Sequence, residues 1–235
     1  MKLRVGLIGL GDGWNARHRP ALRSLSDRFE VRAVCSEVAA KAEQVAREFE
    51  AEVVDGFRAL VEREDVDVVL MLSSGWYGSL PILAACDAGK AIFCSAALDI
   101  EPHRALELKE RVEKSGVAFM AEFPRRHAPA TLRLKELIAT RLGRPRLLFC
   151  HQRLLVEKKN DLPKNGDSRP LAIREMMELV DWCRYVVGLS PTSVVGIRHA
   201  RESDVSGDDY QMMNLDFSED SVPGHGAMAQ ISCGH

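Results

Sequence analysis

Three glycines near the start of the chain form its sharpest chemical signal. The segment Gly9-Leu10-Gly11-Asp12-Gly13-Trp14 follows an apolar run that ends at Ile8. A dinucleotide site needs glycine where a strand turns and again where backbone approaches a pyrophosphate, and the next helix offers free N–H groups. Gly9 and Gly11 fit those two positions. The segment therefore predicts a phosphate-binding turn in which the six residues from Gly9 to Trp14 contact the cofactor.

The third small residue of this pattern is displaced. Trp14 stands where a small residue is expected, and a frame of Gly11, Gly13 and Ala16 restores it if the loop is one residue longer. The alternative is a tight strand–helix turn that binds no ligand.

Two later strand ends offer further cofactor contacts. An acidic residue that binds the ribose of NAD is expected after the second strand, where Ser36 and then Glu37 stand. A serine tolerates the 2′-phosphate of NADP and Glu37 repels it, so NAD and NADP both stay open. After the third strand, Ser73, Ser74 and Trp76 supply hydroxyls and an aromatic ring. They are predicted to contact the cofactor, and an ordinary loop is the alternative.

The first half of the chain alternates short apolar runs with helical segments. The run VDVVLML at 66–72 is typical of a strand covered on both faces, and a helix is expected over about 15–28, after the glycines. Strands that alternate with helices of about ten residues indicate parallel βαβ units. Residues 1–122 are therefore predicted to form a doubly wound, dinucleotide-binding Rossmann domain of the α/β class.

The pattern changes after Phe123. Helices are expected at 130–140 and 171–187, and strands at 146–156, 193–199, 210–217 and 227–233. Consecutive strands without helices between them favour an open, mostly antiparallel sheet. We expect 123–235 to be a C-terminal α/β domain. The chain stops inside or just after a strand, which predicts an unpaired edge and either a truncated, incomplete domain or a partner that covers it.

Composition narrows the class of partner. The 235 residues are 46% hydrophobic and 28% charged with a net charge of −2, which indicates a globular protein and argues against nucleic acid or anionic membranes as partners. No window approaches a membrane span, and the glycine-broken first run is interpreted as a strand instead of a targeting signal. The six scattered cysteines predict free thiols in a reducing cytoplasm, and no metal site is expected.

Several motifs together resemble those of the glucose–fructose oxidoreductase/inositol dehydrogenase family (Gfo/Idh/MocA). VGLIGLG with His18 is similar to that family's first strand, turn and helix. VDVVLML followed by LAACDAGKAIFCSAAL is similar to its third strand, the helix after it and its fourth strand. Arg126 with Pro129 resembles its Arg-x-x-Pro element, and Asp181 lies in a segment that resembles its long helix.

The resemblance implies a Rossmann domain followed by a C-terminal domain for substrate binding and oligomerisation, 123–235, whose open sheet continues beyond this chain. It implies hydride transfer between NAD or NADP and a hydroxyl of a sugar, cyclitol or related polyol. Arg126 is expected to contact the cofactor, and the C-terminal sheet is expected to form a homo-oligomer.

The catalytic positions depart from the family. Its Glu-Lys-Pro element is replaced by Ser95, Ala96 and Ala97, so the usual lysine is missing. On the long helix, Arg174 and Glu178 stand where the family has an aspartate and a histidine, whereas Asp181 matches.

The remaining residues permit a different assignment of roles. Arg174 can stabilise an alkoxide, Glu178 can act as the base, and Asp181 completes the predicted catalytic set. A plain i, i+4 salt bridge between Arg174 and Glu178 is the alternative, and Glu175 is expected to lie off this face. A catalytically silent member that binds dinucleotide or sugar as a sensor or scaffold, and a member without cofactor that serves in oligomerisation, are the competing hypotheses.

Overall fold

The structure is a computed structural model that describes residues 2–11, 13–73, 77–95, 102–153, 171–199, 210–218 and 226–234. Its contacts group these residues into two units, 2–122 and 123–234. The predictions for Asp12, Ser74, Trp76, Ala96 and Ala97 lie outside the described residues.

The first unit is built on a six-stranded parallel sheet. Its strands are β1 (Leu3–Ile8), β2 (Phe29–Cys35), β3 (Glu52–Val53), β4 (Val68–Met71), β5 (Ala91–Ser95) and β6 (Phe119–Glu122). Their order in the sheet is β3-β2-β1-β4-β5-β6, with every pairing parallel. This is the doubly wound order of dinucleotide-binding folds, and it confirms the predicted Rossmann sheet.

Helices cover both faces of this sheet. They are α1 (Arg19–Ser24), α2 (Ala39–Phe49), α3 (Phe57–Val61), α4 (Leu80–Asp87) and α5 (Pro102–Ser115). Val45 of α2 packs in one apolar cluster, whereas Leu60 of α3 and Ile82 of α4 pack in another. The order of strands reverses between β1 and β4, so the chain leaves the ends of these two strands in opposite directions and opens a crevice there.

The single helix expected over about 15–28 is wrong in its form. A π-helical turn, Trp14–His18, precedes the short α1, and the amide of Arg19 donates to the carbonyl of Trp14 five residues back. Pro20 has no N–H, so the regular bond at the start of an α-helix is missing and the wider turn replaces it.

The second unit combines a four-stranded sheet with helices. Its elements are α6 (Pro124–His127), α7 (Pro129–Leu137) with a π-helical turn (Ile138–Leu142), β7 (Leu147–Arg153), α8 (Leu171–Val187), β8 (Ser193–His199), β9 (Tyr210–Phe217) and β10 (Ala227–Gly234). The order is β7-β10-β9-β8, with β7–β10 parallel and the other two pairings antiparallel. The predicted mostly antiparallel sheet is confirmed.

The last strand does not lie at an edge of this sheet. β10 pairs with β7 on one side and with β9 on the other, so the expectation of an unpaired edge at the last strand is wrong. The sequence shows where a strand lies along the chain but carries no signal for its order in the sheet. Helix α8 packs on one face through Met176, Leu179 and Cys183. None of the helices in the described ranges is both long and apolar enough to cross a membrane.

Candidate functional site

The glycine turn is shaped by its contact with the end of β4. Gly9 has φ +73°, and a Cβ there would lie 2.7 Å from the Cβ of Ser73. A Cβ at Gly11 would overlap the carbonyl oxygen of Leu72. Both positions require glycine because the backbone of the turn runs directly over the neighbouring strand end.

The turn leaves part of its backbone available to a ligand. The amide of Gly9 donates to the carbonyl of Cys35 at 2.8 Å, and the amide of Trp14 donates to the carbonyl of Gly11 at 2.9 Å. Among the described residues, no carbonyl accepts from the amides of Leu10, Gly11 or Gly13. These donors, and the absence of side chains at the three glycines, fit the pyrophosphate of a dinucleotide.

Trp14 faces the core of the first unit. Its side chain is 6% exposed, and its ring meets the ring of Phe49 edge to face at 6.0 Å between centroids. The indole ring at the third-glycine position is therefore buried in the apolar cluster under α2. A ring buried in this way cannot stack on a nicotinamide or adenine. The cofactor contact predicted for Trp14 stays a prediction, and the residue lines a cavity beside the turn.

A cavity of about 350 Å³ opens between the glycine turn and α2. Its lining consists of Leu10, Gly11, Trp14, Asn15, Arg19, Lys41, Gln44 and Glu48. The carboxylate of Glu48 is held by Arg19 at 2.9 Å and by Arg23 at 3.0 Å. The Lys41 ammonium forms no ion pair with any residue that the structure describes, so it is available to an anionic ligand.

Ser36 and Ser73 follow β2 and β4 at the same edge of the sheet as the turn. The Oγ of Ser36 accepts a long 3.5 Å bond from the amide of Val38. Ser73 packs beside Gly9. Both positions agree with the predicted cofactor contacts, which stay predictions.

The sequence did not predict the buried polar pair that His18 and Glu122 form behind the turn. The Nε2 of His18 lies 3.1 Å from Glu122, and Arg17 lies 3.2 Å from the same carboxylate. Desolvation raises the pKa of Glu122, but the hydrogen bond with His18 and the charges of His18 and Arg17 outweigh it, so the pKa is lowered. The pair ties the π-helical turn to β6. Its one signal in the sequence is an acidic residue that ends an apolar strand.

In the second unit, Arg125 joins two carboxylates of α8. Its guanidinium lies 2.6 Å from Glu175 and 3.2 Å from Glu178, and it donates to the side chain of Gln152 at 3.4 Å. The expectation that Glu175 lies off the face of Glu178 is wrong, because residues three apart share a helix face. Glu178, the predicted base, is therefore an ion-pair partner of Arg125, and Arg174 lies one turn before it on α8.

Arg126 and Asp181 form a second ion pair. The Nε of Arg126 lies 2.7 Å from Oδ2 of Asp181, its Nη2 contacts Oδ1, and the Asp181 side chain is 6% exposed. The guanidinium also lies over the rings of Phe123 and Tyr185. The hydrogen bonds to Asp181 raise the pKa of Arg126. These contacts are those of a structural brace, and the predicted catalytic and cofactor roles of the two residues stay predictions.

The described residues include no group of three or more histidine, cysteine or acidic side chains arranged to hold a metal ion.

Proteins of known class are similar in sequence to this chain. A sequence model of the oxidoreductase family with the NAD-binding Rossmann fold matches residues 3–123. The inositol 2-dehydrogenase of Paracoccus denitrificans is 28% identical over 193 residues, which is 80% of this chain and 55% of that protein. The inositol 2-dehydrogenase of Cereibacter sphaeroides (strain ATCC 17023) is 34% identical over 158 residues, or 65% and 46% of the two chains. The chain thus spans about half the length of these curated relatives.

Solved structures share the fold across both units. An oxidoreductase from Thermotoga maritima aligns with a TM-score of 0.83 at 21% identity, over 100% of this chain and 72% of the other. The WlbA dehydrogenase of Bordetella pertussis, crystallised with NADH and UDP-GlcNAcA, aligns with a TM-score of 0.81 at 16% identity, over 98% and 66%. The match of more than half the chain to the family model confirms the resemblance and the NAD-type cofactor. The chain belongs to the Gfo/Idh/MocA family of oxidoreductases with an NAD-binding Rossmann fold.

Proposed function

We propose that this chain binds NAD or NADP through its first unit and belongs to an enzyme that transfers a hydride between the nicotinamide and a hydroxyl of a sugar, cyclitol or related polyol. The glycine turn carries this proposal, because it lies beside an open cavity and the amides of Leu10, Gly11 and Gly13 have no carbonyl partner among the described residues. The inositol dehydrogenases among the relatives supply the class of substrate.

Calorimetric titration with NAD, NADH, NADP and NADPH tests the binding step. We expect at least one of the four to bind with a dissociation constant below the millimolar range, and the two cofactor types to differ. If none binds to folded protein at millimolar concentration, the enzyme assignment fails and the family member without cofactor becomes the supported hypothesis.

A bound nicotinamide would supply the hydride chemistry, and residues of this chain would have to accept or return the hydroxyl proton. Glu178 is the proposed base, since it lies on the long helix at the position where the family carries its catalytic histidine. Arg174 is proposed to stabilise the developing alkoxide. Asp181 is proposed to act through Arg126, which it holds in place.

Glu178→Gln tests the base. We expect kcat on a responsive polyol to fall by about 100-fold or more, because general base catalysis contributes about 10²–10⁴-fold. The matched control is Glu175→Gln, which removes the other carboxylate bound to Arg125 and should change kcat far less. Equal activity of the Glu178→Gln variant and the parent protein would refute this assignment.

A catalytically silent binder is the second candidate. The observation in its favour is that Ala96 replaces the family's lysine, while Glu178 and Asp181 are both engaged in ion pairs. A protein that binds the cofactor but turns over none of a panel of polyols and sugars, under conditions where an inositol dehydrogenase is active, supports this candidate.

We also propose that the face of the second sheet opposite α8 joins copies of this chain. Strand alternation places Leu147, Phe149, Val195 and Ile197 on that face, and Phe149 is 72% exposed. Exposed apolar surface of this kind marks an interface. Light scattering of the parent protein and of Phe149→Asp should show an oligomer that the substitution weakens.

A reducing cytoplasm is the proposed compartment. All six cysteines are buried and free, as expected where thiols stay reduced. Fractionation of cells that express a tagged chain tests this proposal.

A further inference from the structure

Two thiols of the second unit touch each other across a strand and a helix. The Sγ of Cys150 on β7 lies 3.6 Å from the Sγ of Cys183 on α8, at the contact distance of two sulfur atoms. Both residues lie in the core between the sheet and α8, where Cys150 is 9% exposed and Cys183 is 0% exposed. A disulfide needs the sulfurs to approach to about 2.05 Å. The two sulfurs must therefore move about 1.5 Å closer, which requires side-chain rotation and a small shift of α8 against β7.

The two thiols are chemically unequal. The hydrogen bond with Cys183 lowers the pKa of Cys150, and the charge of Arg125 adds to that effect against desolvation. The same hydrogen bond and burial raise the pKa of Cys183. Cys150, the more exposed of the two, is therefore the thiol that loses its proton more readily.

We propose that Cys150 and Cys183 form a reversible intramolecular disulfide when the protein meets a hydroperoxide. The Cys150 thiolate attacks one peroxide oxygen, the O–O bond breaks, and Cys150 becomes a sulfenic acid. The Cys183 sulfur then attacks the Cys150 sulfur, the S–S bond forms and the S–O bond breaks. The two protons given up by the thiols convert the departing hydroxides to water, so two thiols and one hydrogen peroxide yield one disulfide and two waters.

The bond would tether two elements that are 33 positions apart in the chain. Cys183 lies on the helix that carries Glu175 and Glu178, and Cys150 lies two residues before Gln152, which also contacts Arg125. Oxidation would fix α8 to β7 beside this cluster, whether or not the protein is an active enzyme. The inference therefore stands apart from the proposed function.

Cys233 on β10 is the matched control. It is buried in the same apolar core, and it pairs with Gln152 in the ladder between β10 and β7. Burial raises the pKa of Cys233, so it is the less reactive neighbour. Cys86, buried in the first unit, serves as a distant control.

The experiment treats the folded chain with hydrogen peroxide, blocks free thiols under denaturing conditions and measures the intact mass and the tryptic peptides. We expect two thiols to be lost, a cross-linked peptide pair that contains Cys150 and Cys183, and reversal by dithiothreitol. The melting temperature should rise by roughly 5–10 °C on oxidation, since a disulfide restricts the unfolded chain.

Variants locate the bond. Cys150→Ala and Cys183→Ala should each abolish the cross-link, and Cys150→Ser and Cys183→Ser repeat the test should either alanine variant not fold. Cys233→Ala and Cys86→Ala should retain it. The inference is overturned if six thiols remain after treatment, if only oxygen is added without a cross-link, or if the cross-link joins Cys150 to Cys233.

Discussion

The glycine turn of the first unit and the charged face of α8 in the second unit are built on opposite principles. The turn exposes backbone amides beside an open cavity, whose Lys41 forms no ion pair with any described residue. On α8 the carboxylates of Glu178 and Asp181 are already bound by the arginines of α6. The first region is prepared for a ligand, whereas the second satisfies its charges internally.

This difference separates the two parts of the proposed function, cofactor binding and catalysis. A cofactor can bind to the turn without breaking contacts within the protein. A substrate that uses Glu178 must compete with Arg125 or accept the ion pair as part of its site. Cofactor binding is thus compatible with both candidate functions, whereas catalysis depends on the state of the Arg125 cluster, defined as Arg125, Gln152, Glu175 and Glu178.

The largest expected effect comes from Gly11→Val, which tests how tightly the turn is built. The new side chain would overlap the Leu72 carbonyl, so we expect a loss of about 3 kcal/mol in the free energy of unfolding together with loss of cofactor binding. Urea unfolding and cofactor titration measure both.

Gly13→Ala is the control for this prediction. Its Cβ would meet the flexible end of Arg17 at 2.8 Å, which can move aside, although the His18 ring also lies at 3.0 Å. We expect a loss of less than about 1 kcal/mol. Equal losses at the two glycines would show that the contact with β4 does not shape the turn.

The second prediction concerns the buried pair on α8. Asp181→Asn leaves the Arg126 guanidinium without its carboxylate, and we expect a loss of about 2 kcal/mol in the free energy of unfolding. This is below the roughly 3–5 kcal/mol of a fully buried pair, because Arg126 is 37% exposed. Urea midpoints provide the measurement.

Glu136→Gln is the matched control, because the pair of Glu136 with Arg133 is 58% exposed on both sides. Its loss should stay below about 0.5 kcal/mol. If Asp181→Asn costs no more than this control, Asp181 is not a structural brace and its predicted catalytic role gains support.

The glycine turn could be predicted from the sequence because its backbone geometry determines which residues can form it. Glycine at two fixed positions after a strand is a local signal, and the alternation of strands and helices in the first unit is local as well. The structure and the family match agree with both. The π-helical turn was not predicted, although Pro20 marks the place where an α-helical bond is missing.

The sequence predicted the contacts of the charged face of α8 less well, because the residues that bind its carboxylates are distant in the chain. Arg125 and Glu178 are 53 positions apart, so no spacing rule connects them. The helical period placed Glu178 near Arg174 but gave no partner for Glu175. The central position of β10 escaped prediction for the same reason, since the order of strands is set by contacts between remote segments.

A third prediction uses Glu122, whose carboxylate contacts His18 and Arg17 in the first unit. Its lowered pKa means that the folded state binds a proton less readily than the unfolded state. Its contribution to stability is therefore full at neutral pH and lost as the pH falls through the carboxyl range near 4 and below. We expect Glu122→Gln to cost about 1 kcal/mol at pH 7 and much less at pH 3.5.

Urea midpoints of Glu122→Gln and the parent protein at the two pH values measure this difference. Glu113→Gln, whose side chain is 63% exposed beside Lys109, is the control and should show little dependence on pH. A difference for Glu122→Gln that is equal at both pH values would assign the loss to packing instead of charge.

The smallest effect is expected at the cavity itself, where Lys41→Ala removes the ammonium that has no partner among the described residues. Stability should not change, because no ion pair is lost, whereas cofactor affinity should fall about threefold to tenfold at low salt and less at high salt. Arg47→Ala is the control, since Arg47 lies on the same helix, is 81% exposed and does not line the cavity. A larger loss for NADP than for NAD would place Lys41 near the 2′-phosphate, and equal losses for Lys41→Ala and Arg47→Ala would mean that the cavity is not where the cofactor binds.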